Sequence, residues 1–248
     1  MMRQRRVPLF MVAIALFSGL LSGCAVNPYA KYYINKIGGP EHIAKAGVKV
    51  FSEAPVLLRG SLKPEKDAEA MMEEGFDMLG YSTFNGPEFP EEKAVEQAKN
   101  IGATRVVIYS KYTETQTGAV PLFSTIGNAV IATTTIPTHQ RRYDQGATYW
   151  APGSPGLLGI RGRPLNDEER ARLQTNKGVA VAIVIKKTPA YQTDLLKGDI
   201  IRAVNGKAIL SADELSAVLN EFAGQQVTIA LVRGSEALTK VVTLNKKP

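Results

Sequence analysis

The sequence predicts a mixed α/β chain with two folded parts, and three observations support this prediction. Between residues 47 and 150, strand and helix signals alternate in the order strand–helix–strand–helix–strand, which is typical of a small α/β (α+β) layer domain. From residue 151 to 248, short strand signals are separated by tight turns. A stretch rich in Pro and Gly, residues 151–156, lies between the two parts and is interpreted as a link.

The chain begins with a basic segment and an apolar run, Val7 to Leu21. This run is shorter than the roughly 20 residues that span a bilayer, so we interpret residues 1–23 as a signal peptide. Leu21 to Cys24 resembles the lipobox of bacterial lipoproteins, which implies cleavage before Cys24 and a diacylglycerol on its thiol. The alternative is an uncleaved anchor that carries an incidental thiol.

Charge and cysteine content exclude several classes of function. Cys24 is the only cysteine, so the chain has no internal disulfide and no cysteine metal site. Loss of residues 1–23 removes three arginines and lowers the formal net charge of +7 by three, to +4. Charges of both signs are interspersed, and we expect no nucleic-acid partner. Ala25 after the cysteine favours, by analogy with enteric lipoprotein sorting, the outer membrane over the inner one. We therefore expect a lipid-anchored protein of the bacterial cell envelope that faces the periplasm.

Residues 24–46 are interpreted as a lipidated tether that precedes the α/β domain. Three tyrosines of this segment (Tyr29, Tyr32, Tyr33) either rest on lipid headgroups or pack on the following domain, and packing is our preferred interpretation. Within residues 47–150 the signals predict, in order, a strand at 56–60, a helix from Pro64 to about Glu74, a strand at 77–84, a helix from Pro90 that stops at Gly102, and a strand at 104–112.

Residues 119–137 are apolar and rich in Thr and Ile. Their 19 residues include Pro121, Asn128 and four threonines, and β-branched residues favour strand over a membrane helix. We predict a long hairpin or arm with Gly127-Asn128 at its tip. Such an arm is a candidate for self-association or membrane contact.

Gly178 to Ile209 carries the clearest pattern of the C-terminal part. Val179 to Ile185 places apolar side chains at every second position, as in a strand that packs on at least one face. A short helix and a second strand at 200–204 follow. Asn205-Gly206 then predicts a type I′ hairpin turn, because both residues tolerate positive φ.

This part, over roughly residues 155 to 246, resembles a PDZ domain of the kind found in bacterial periplasmic proteases of the HtrA type. It departs from the family pattern at Thr193-Asp194, where relatives usually place a small residue and a glycine. The resemblance implies a partly open β-barrel or sandwich with a capping helix over residues 151–248. The family motifs are met by Thr188-Pro189-Ala190, Leu195 to Ile200 and Val204 to Lys207.

The resemblance also implies a groove that binds protein C-termini or extended segments by strand addition. Leu158-Gly159-Ile160, followed by Arg161, matches the loop that holds the terminal carboxylate, and we expect glycine to let the carboxylate approach the main chain. The alternative is a plain strand start after the Pro-Gly link. A helix that begins with the capping box Ser211-x-x-Glu214 forms the other wall. Its apolar residues, shared between groove and core, are Leu215, Val218 and Leu219.

No catalytic constellation is found in the sequence. His42 and His139 have no metal-ligand spacing, and protease, P-loop and dinucleotide motifs are not present. We expect no enzyme activity, no cofactor and no metal site, and we predict a scaffold or adaptor. The alternative is that the α/β domain is an enzyme or small-molecule sensor and the PDZ domain presents substrate. A deep pocket between Leu57 and Tyr112 with convergent carboxylates would favour that alternative, and a filled apolar interior would favour the first.

Overall fold

A computed structural model describes residues 26–36, 54–61, 63–126 and 129–247. The predicted signal peptide, the lipidation site Cys24 and His42 lie outside the described residues, as do residues 127 and 128. The helices are α1 (Pro28–Lys31), α2 (Pro64–Glu73), α3 (Glu92–Asn100), α4 (Asp167–Leu173), α5 (Pro189–Gln192) and α6 (Ala212–Glu221). The strands are β1 (Tyr33–Asn35), β2 (Val56–Arg59), β3 (Phe76–Gly86), β4 (Arg105–Ile126), β5 (Ala129–Pro152), β6 (Ile160–Arg163), β7 (Val179–Val184), β8 (Ile200–Val204), β9 (Lys207–Ala208), β10 (Gln226–Arg233) and β11 (Glu236–Thr243).

The N-terminal part is a five-stranded mixed sheet with the strand order β1-β3-β5-β4-β2. Strands β2 and β4 are parallel, and the other pairs are antiparallel. The predicted order strand–helix–strand–helix–strand is present as β2-α2-β3-α3-β4. The structure adds β1 at one edge and β5 in the centre.

The two helices α2 and α3 pack on opposite faces of this sheet. Successive residues of a strand point to opposite faces, so two neighbouring residues of β4 show which helix covers each face. Val106 packs with Ala94 and Ala98 of α3, whereas Val107 packs with Met71 of α2. Both Val106 and Val107 are buried, so the sheet interior is filled by side chains on either face.

The predicted tether of residues 24–46 is wrong for its described part. Tyr29 is 3% exposed and contacts Phe84 edge to face, and β1 pairs with β3. The ring of Tyr33 packs on Tyr149. The preferred interpretation of the tyrosines, packing on the following domain, therefore agrees with the structure. Residues 28–35 belong to the α/β domain because their aromatic rings complete its core.

Strands β4 and β5 form the predicted hairpin through residues 119–137. Their pairing continues from Arg105↔Trp150 to Ile126↔Ala129. The neighbouring strand β3 ends at Gly86, opposite Tyr143. Beyond this point, the described residues of β4 and β5 form a two-stranded ribbon that extends past the sheet. None of the described helices is long and apolar enough to cross a membrane.

The C-terminal part is a second sheet with the order β11-β10-β8-β7-β6, and β9 pairs with β8. The predicted hairpin turn after β8 has Asn205 at φ 47° and Gly206 at φ 78°, the positive φ values of a type I′ turn. The core lies under α6. Its largest members include Ile201, Ile229 and Leu231.

Two details differ from the sequence-based expectations. Residue Ala151, placed in the Pro-Gly link, is buried in β5, which ends at Pro152. The predicted capping box of α6 is half formed. The Ser211 hydroxyl accepts the Glu214 N–H, but the Glu214 carboxylate accepts the N–H of Leu210 and not that of Ser211.

Candidate functional site

A cleft of about 720 Å³ lies between β6 and α6. Strand β6 is the last strand in the order of its sheet, so one of its edges has no neighbouring strand among the described residues. Unpaired N–H and C=O groups of such an edge can pair with a further extended segment. The cleft therefore places a free strand edge beside a helix.

One face of α6 lines the cleft. The lining positions Ala212, Leu215, Ser216, Leu219 and Asn220 follow the spacing i, i+3, i+4, i+7, i+8 of a single helix face. The two leucines are at most 7% exposed and also belong to the core cluster, so they form the floor of the cleft. The small and polar positions lie on its rim.

The loop before β6 is oriented by three hydrogen bonds to its carbonyl groups. The carbonyl of Leu157 accepts from the Asn245 N–H, that of Leu158 from the Ala190 N–H, and that of Gly159 from the Ile185 N–H. The described residues contain no cis peptide bond, and in a trans unit the N–H points opposite to the preceding carbonyl. The N–H groups that follow these carbonyls therefore point away from the body of the domain.

Gly159 is required for a reason other than the expected one. Its φ is +90°, and a Cβ built on it would lie 2.1 Å from Cβ and Oγ1 of Thr188. Thr188 is 4% exposed and donates its hydroxyl proton to the carbonyl of Ile185 at 2.6 Å. The missing Cβ thus makes room for a buried threonine. The expectation that it leaves space for a ligand carboxylate is wrong, because a Cβ would point at Thr188.

All six residues that the sequence predicts for peptide binding line the cleft. Val218, whose assignment was open, packs in the core and does not line it. Whether the six bind peptide stays a prediction. They are Leu158, Gly159, Ile160, Arg161, Leu215 and Leu219.

The sequence reasoning missed other lining residues. Gly162 gave no signal because a single glycine in a strand has many explanations. Lys246 and Lys247 lie about 85 residues after the loop that they face, and nothing in a linear pattern connects them to it. Ser216 and Asn220 could have been found from the helical spacing of Leu215 and Leu219.

Arg161 joins the cleft to the α/β domain. Its Nη2 donates to Oδ1 of Asp77 at 2.7 Å, and its Nη1 donates to the carbonyl of Ser154 at 3.2 Å. The Lys186 N–H donates to the carbonyl of Glu73 nearby at 2.8 Å. Arg161 thus connects β6 with β3, and Lys186, which follows β7, contacts the end of α2.

The α/β domain has a smaller depression of about 350 Å³, lined mainly by residues of β3, β4 and β5. Asp144 is the only carboxylate that lines it among the described residues, and its Oδ1 accepts from Asn85 at 2.8 Å. Burial raises the pKa of Tyr109, which also lines it, to about 12, so its hydroxyl stays protonated at neutral pH. Convergent carboxylates are not found here, and the described residues contain no cluster of three potential metal ligands.

Comparison with known proteins places the C-terminal part in a family. The family model for the PDZ domain matches residues 156–244. Over 85 residues the chain is 33% identical to a probable periplasmic serine protease do/HhoA-like from Haemophilus influenzae, strain ATCC 51907 / DSM 11121 / KW20 / Rd. This match covers 33% of the present chain and 18% of that protein, so the chain spans less than a fifth of the length of its curated relative.

Solved structures give the same type of match at lower identity. The HtrA3 PDZ domain bound to a phage-derived ligand (FGRWV) is 22% identical, covers 36% of this chain and 84% of that chain, and has a TM-score of 0.32. The HtrA-type protease AlgW with decapeptide is 19% identical, covers 41% and 37%, and has a TM-score of 0.33. Residues 156–244 therefore form a PDZ domain with relatives among the HtrA-type proteases.

Proposed function

We propose that this protein is a lipid-anchored cell-envelope protein that binds protein C-termini or extended segments in the cleft between β6 and α6. It acts as a scaffold or adaptor and has no catalytic activity of its own. The relative named as a periplasmic protease supports a position on the periplasmic side. The lipobox at Leu21 to Cys24 supports the anchor.

The orientation of the loop before β6 carries the proposal of peptide binding. The N–H groups of Leu158, Gly159 and Ile160 follow carbonyls that bond into the domain, and all three residues line the cleft. A terminal carboxylate can accept hydrogen bonds from main-chain N–H groups presented in this way. The free edge of β6 then pairs with the residues that precede the carboxylate.

The floor of the cleft defines the last residue of the ligand. Leu158, Leu215 and Leu219 are apolar and at most 7% exposed, and Ile160 packs against the same cluster. An aliphatic or aromatic side chain that enters this floor is stabilised by about 25 cal/mol for each Å² of apolar surface that it buries. We therefore expect ligands that end in an apolar residue.

The test is an array of peptides with five randomised C-terminal residues, attached by their N-termini and probed with the full chain in detergent. Each sequence is printed with a free and with an amidated C-terminus. We expect binding of free termini with an apolar last residue. Equal binding of both forms would assign the cleft to internal segments and remove the carboxylate role of the loop. If neither form is bound, the cleft is not a peptide site.

A matched pair of variants assigns binding to the cleft. Ser216 is exposed and lines the cleft, whereas its exposed neighbour Ala217 does not. Ser216→Trp should fill the cleft and weaken binding more than tenfold, which corresponds to about 1.4 kcal/mol. Ala217→Trp should leave binding unchanged. Similar affinity of the two variants would place the ligand elsewhere.

The anchor is tested at the predicted lipidation site. Cys24→Ser should prevent the incorporation of a fatty-acid label in growing cells and should leave the precursor unprocessed. An Ala25→Ser variant keeps the cysteine and serves as control. Continued labelling of Cys24→Ser would show that the lipid is not attached there.

A further inference from the structure

The charged residues that line the cleft are all basic. They are Arg161, Lys246 and Lys247, and no Asp or Glu is present among the described lining residues. Both lysines are exposed, and no ion pair between described residues involves them. Arg161 differs, because Asp77 already compensates its charge. Among the described residues that line the cleft, the positive charge without an ion pair is therefore that of the two lysines.

The position of the lysines relative to the loop follows from the chain that carries them. Asn245, directly before Lys246, donates its N–H to the carbonyl of Leu157 at 2.8 Å and its Nδ2 proton to that of Gly156 at 3.0 Å. The C-terminal segment is thereby tied to the loop before β6. Its lysines therefore line the cleft beside this loop.

These lysines lie outside the part of the chain that matches the PDZ family model, which ends at residue 244. Leu244 is buried, and its N–H donates to the carbonyl of Gln225, so the segment leaves the domain from a fixed point. The two lysines that line the cleft therefore follow the matched range directly.

We propose that the cleft selects acidic peptides, in which Asp or Glu occupies one or more of the positions next to the apolar last residue. This inference rests on the proposed function, since it names the ligand class of the same groove. Lys246 and Lys247 attract the carboxylates of the peptide through solvent. This attraction is largely unscreened in 0.01 M salt, where the Debye length is about 30 Å, and weaker at 0.15 M, where it is about 8 Å. They determine specificity and association rate, while the groove supplies the common affinity.

The test uses three labelled peptides that differ in two positions, Phe-Glu-Glu-Trp-Val, Phe-Gln-Gln-Trp-Val and Phe-Lys-Lys-Trp-Val, titrated against the full chain in detergent. At low salt we expect the acidic peptide to bind about threefold to tenfold more tightly than the isosteric neutral one, and the basic peptide to bind most weakly. The differences should shrink when the salt concentration is raised to 0.5 M.

Charge variants assign this preference to the two lysines. The double variant Lys246→Gln/Lys247→Gln should bind the acidic and neutral peptides equally, and Lys246→Glu/Lys247→Glu should reverse the order. Lys240→Gln, on β11 and away from the cleft, should keep the parent preference. The neutral peptide keeps its terminal carboxylate and should lose less affinity than the acidic peptide in each charge variant, and its continued binding shows that the groove is intact.

The outcomes separate the two proposals. Equal binding of acidic and neutral peptides by the parent chain overturns the acidic preference and leaves peptide binding in place. A preference that survives in Lys246→Gln/Lys247→Gln overturns the role of the lysines. If none of the three peptides binds and the random array is also empty, peptide binding itself fails.

Discussion

Arg233 and Asp199 form a bidentate ion pair beneath the loop that follows α5. Nε and Nη2 of Arg233 donate to the two carboxylate oxygens of Asp199 at 2.7 and 2.8 Å. Asp199 is 1% exposed, and its Oδ2 also accepts the Leu196 N–H at 2.9 Å. The acidic residue of the Gly198-Asp199 motif is therefore a structural anchor for the turn that leads into β8.

Removal of the arginine should leave this carboxylate buried without its counter-ion. We expect Arg233→Met to lower the free energy of unfolding of the PDZ domain by about 2–4 kcal/mol. This is less than the largest losses seen for fully buried pairs, because about a third of the Arg233 side chain is exposed to solvent. Arg202→Met is the control and should cost less than about 1 kcal/mol, since Arg202 donates only to a backbone carbonyl. Urea unfolding followed by circular dichroism gives both values, and equal losses would contradict the prediction. Trp150, the only tryptophan, lies in the other domain and does not report on this transition.

A comparison of two glycines separates backbone strain from overlap. Gly156 has φ +69° and open space where a Cβ would be, whereas a Cβ on Gly159 would overlap Thr188. Gly156→Ala should therefore cost about 1 kcal/mol for the left-handed backbone alone. Gly159→Ala should cost about 3 kcal/mol or more, because the overlap is added. Thermal melts of the two variants check this, and similar losses would show that Thr188 can move aside.

The contact between Asp77 and Arg161 should couple the two domains. Their side chains are 25% and 31% exposed, and the described residues also include ion pairs of Glu73 with Lys186 and Glu69 with Lys197 at the same boundary. In a double-mutant cycle with Asp77→Ala and Arg161→Ala, we expect a coupling of about 1 kcal/mol. The readout is the rate of proteolysis at residues 153–156. The rate should rise in both single variants, and more in Arg161→Ala because Arg161 also donates to the carbonyl of Ser154. The double variant should be cleaved no faster than Arg161→Ala. The exposed pair Lys207 and Glu221 is the control. Additive effects of the two variants on the rate would contradict the coupling.

Glu169 should contribute stability that depends on pH. Nη1 and Nη2 of Arg163 each donate to the Glu169 carboxylate at 2.7 Å, and these bonds, with the Asn166 N–H, lower the pKa of Glu169. A carboxylate with a lowered pKa stabilises the fold fully above its unfolded pKa of about 4.3, and this contribution is lost as the pH falls through the lower folded value. Glu169→Gln should therefore be less stable than the parent at pH 7, by about 1–3 kcal/mol. The difference should narrow below about pH 4, and a constant difference from pH 7 to pH 3 would contradict the assignment.

Local patterns predicted those parts of the fold that local chemistry determines. The alternation from Val179 onward gave β7, and Asn205-Gly206 gave the turn with both φ values positive. Asp194, where the sequence departs from the family pattern, adopts φ +54° and so takes the conformation that a glycine would supply. In each case a few neighbouring residues limit the backbone to one choice.

The features that the sequence did not predict depend on distant partners. Strand β1 has three residues, which are too few to give a periodic signal in the sequence. It is held in place by packing of Tyr33 on the core of the folded domain. Lys246 faces the loop at Leu158 because of hydrogen bonds made by Asn245. Similarly, the direction of the missing Cβ of Gly159 could not be known before the position of Thr188 was known.

Strand β5 is the last strand of the α/β domain along the chain and the middle strand of its sheet. Because it separates β3 from β4, neither has its inner neighbour until residues 129–152 are available. When the chain leaves a ribosome or a translocation pore, its N-terminus emerges first. The sheet of this domain therefore cannot be completed before β5 has emerged. The α/β domain thus closes only when the segment directly before the PDZ domain has emerged.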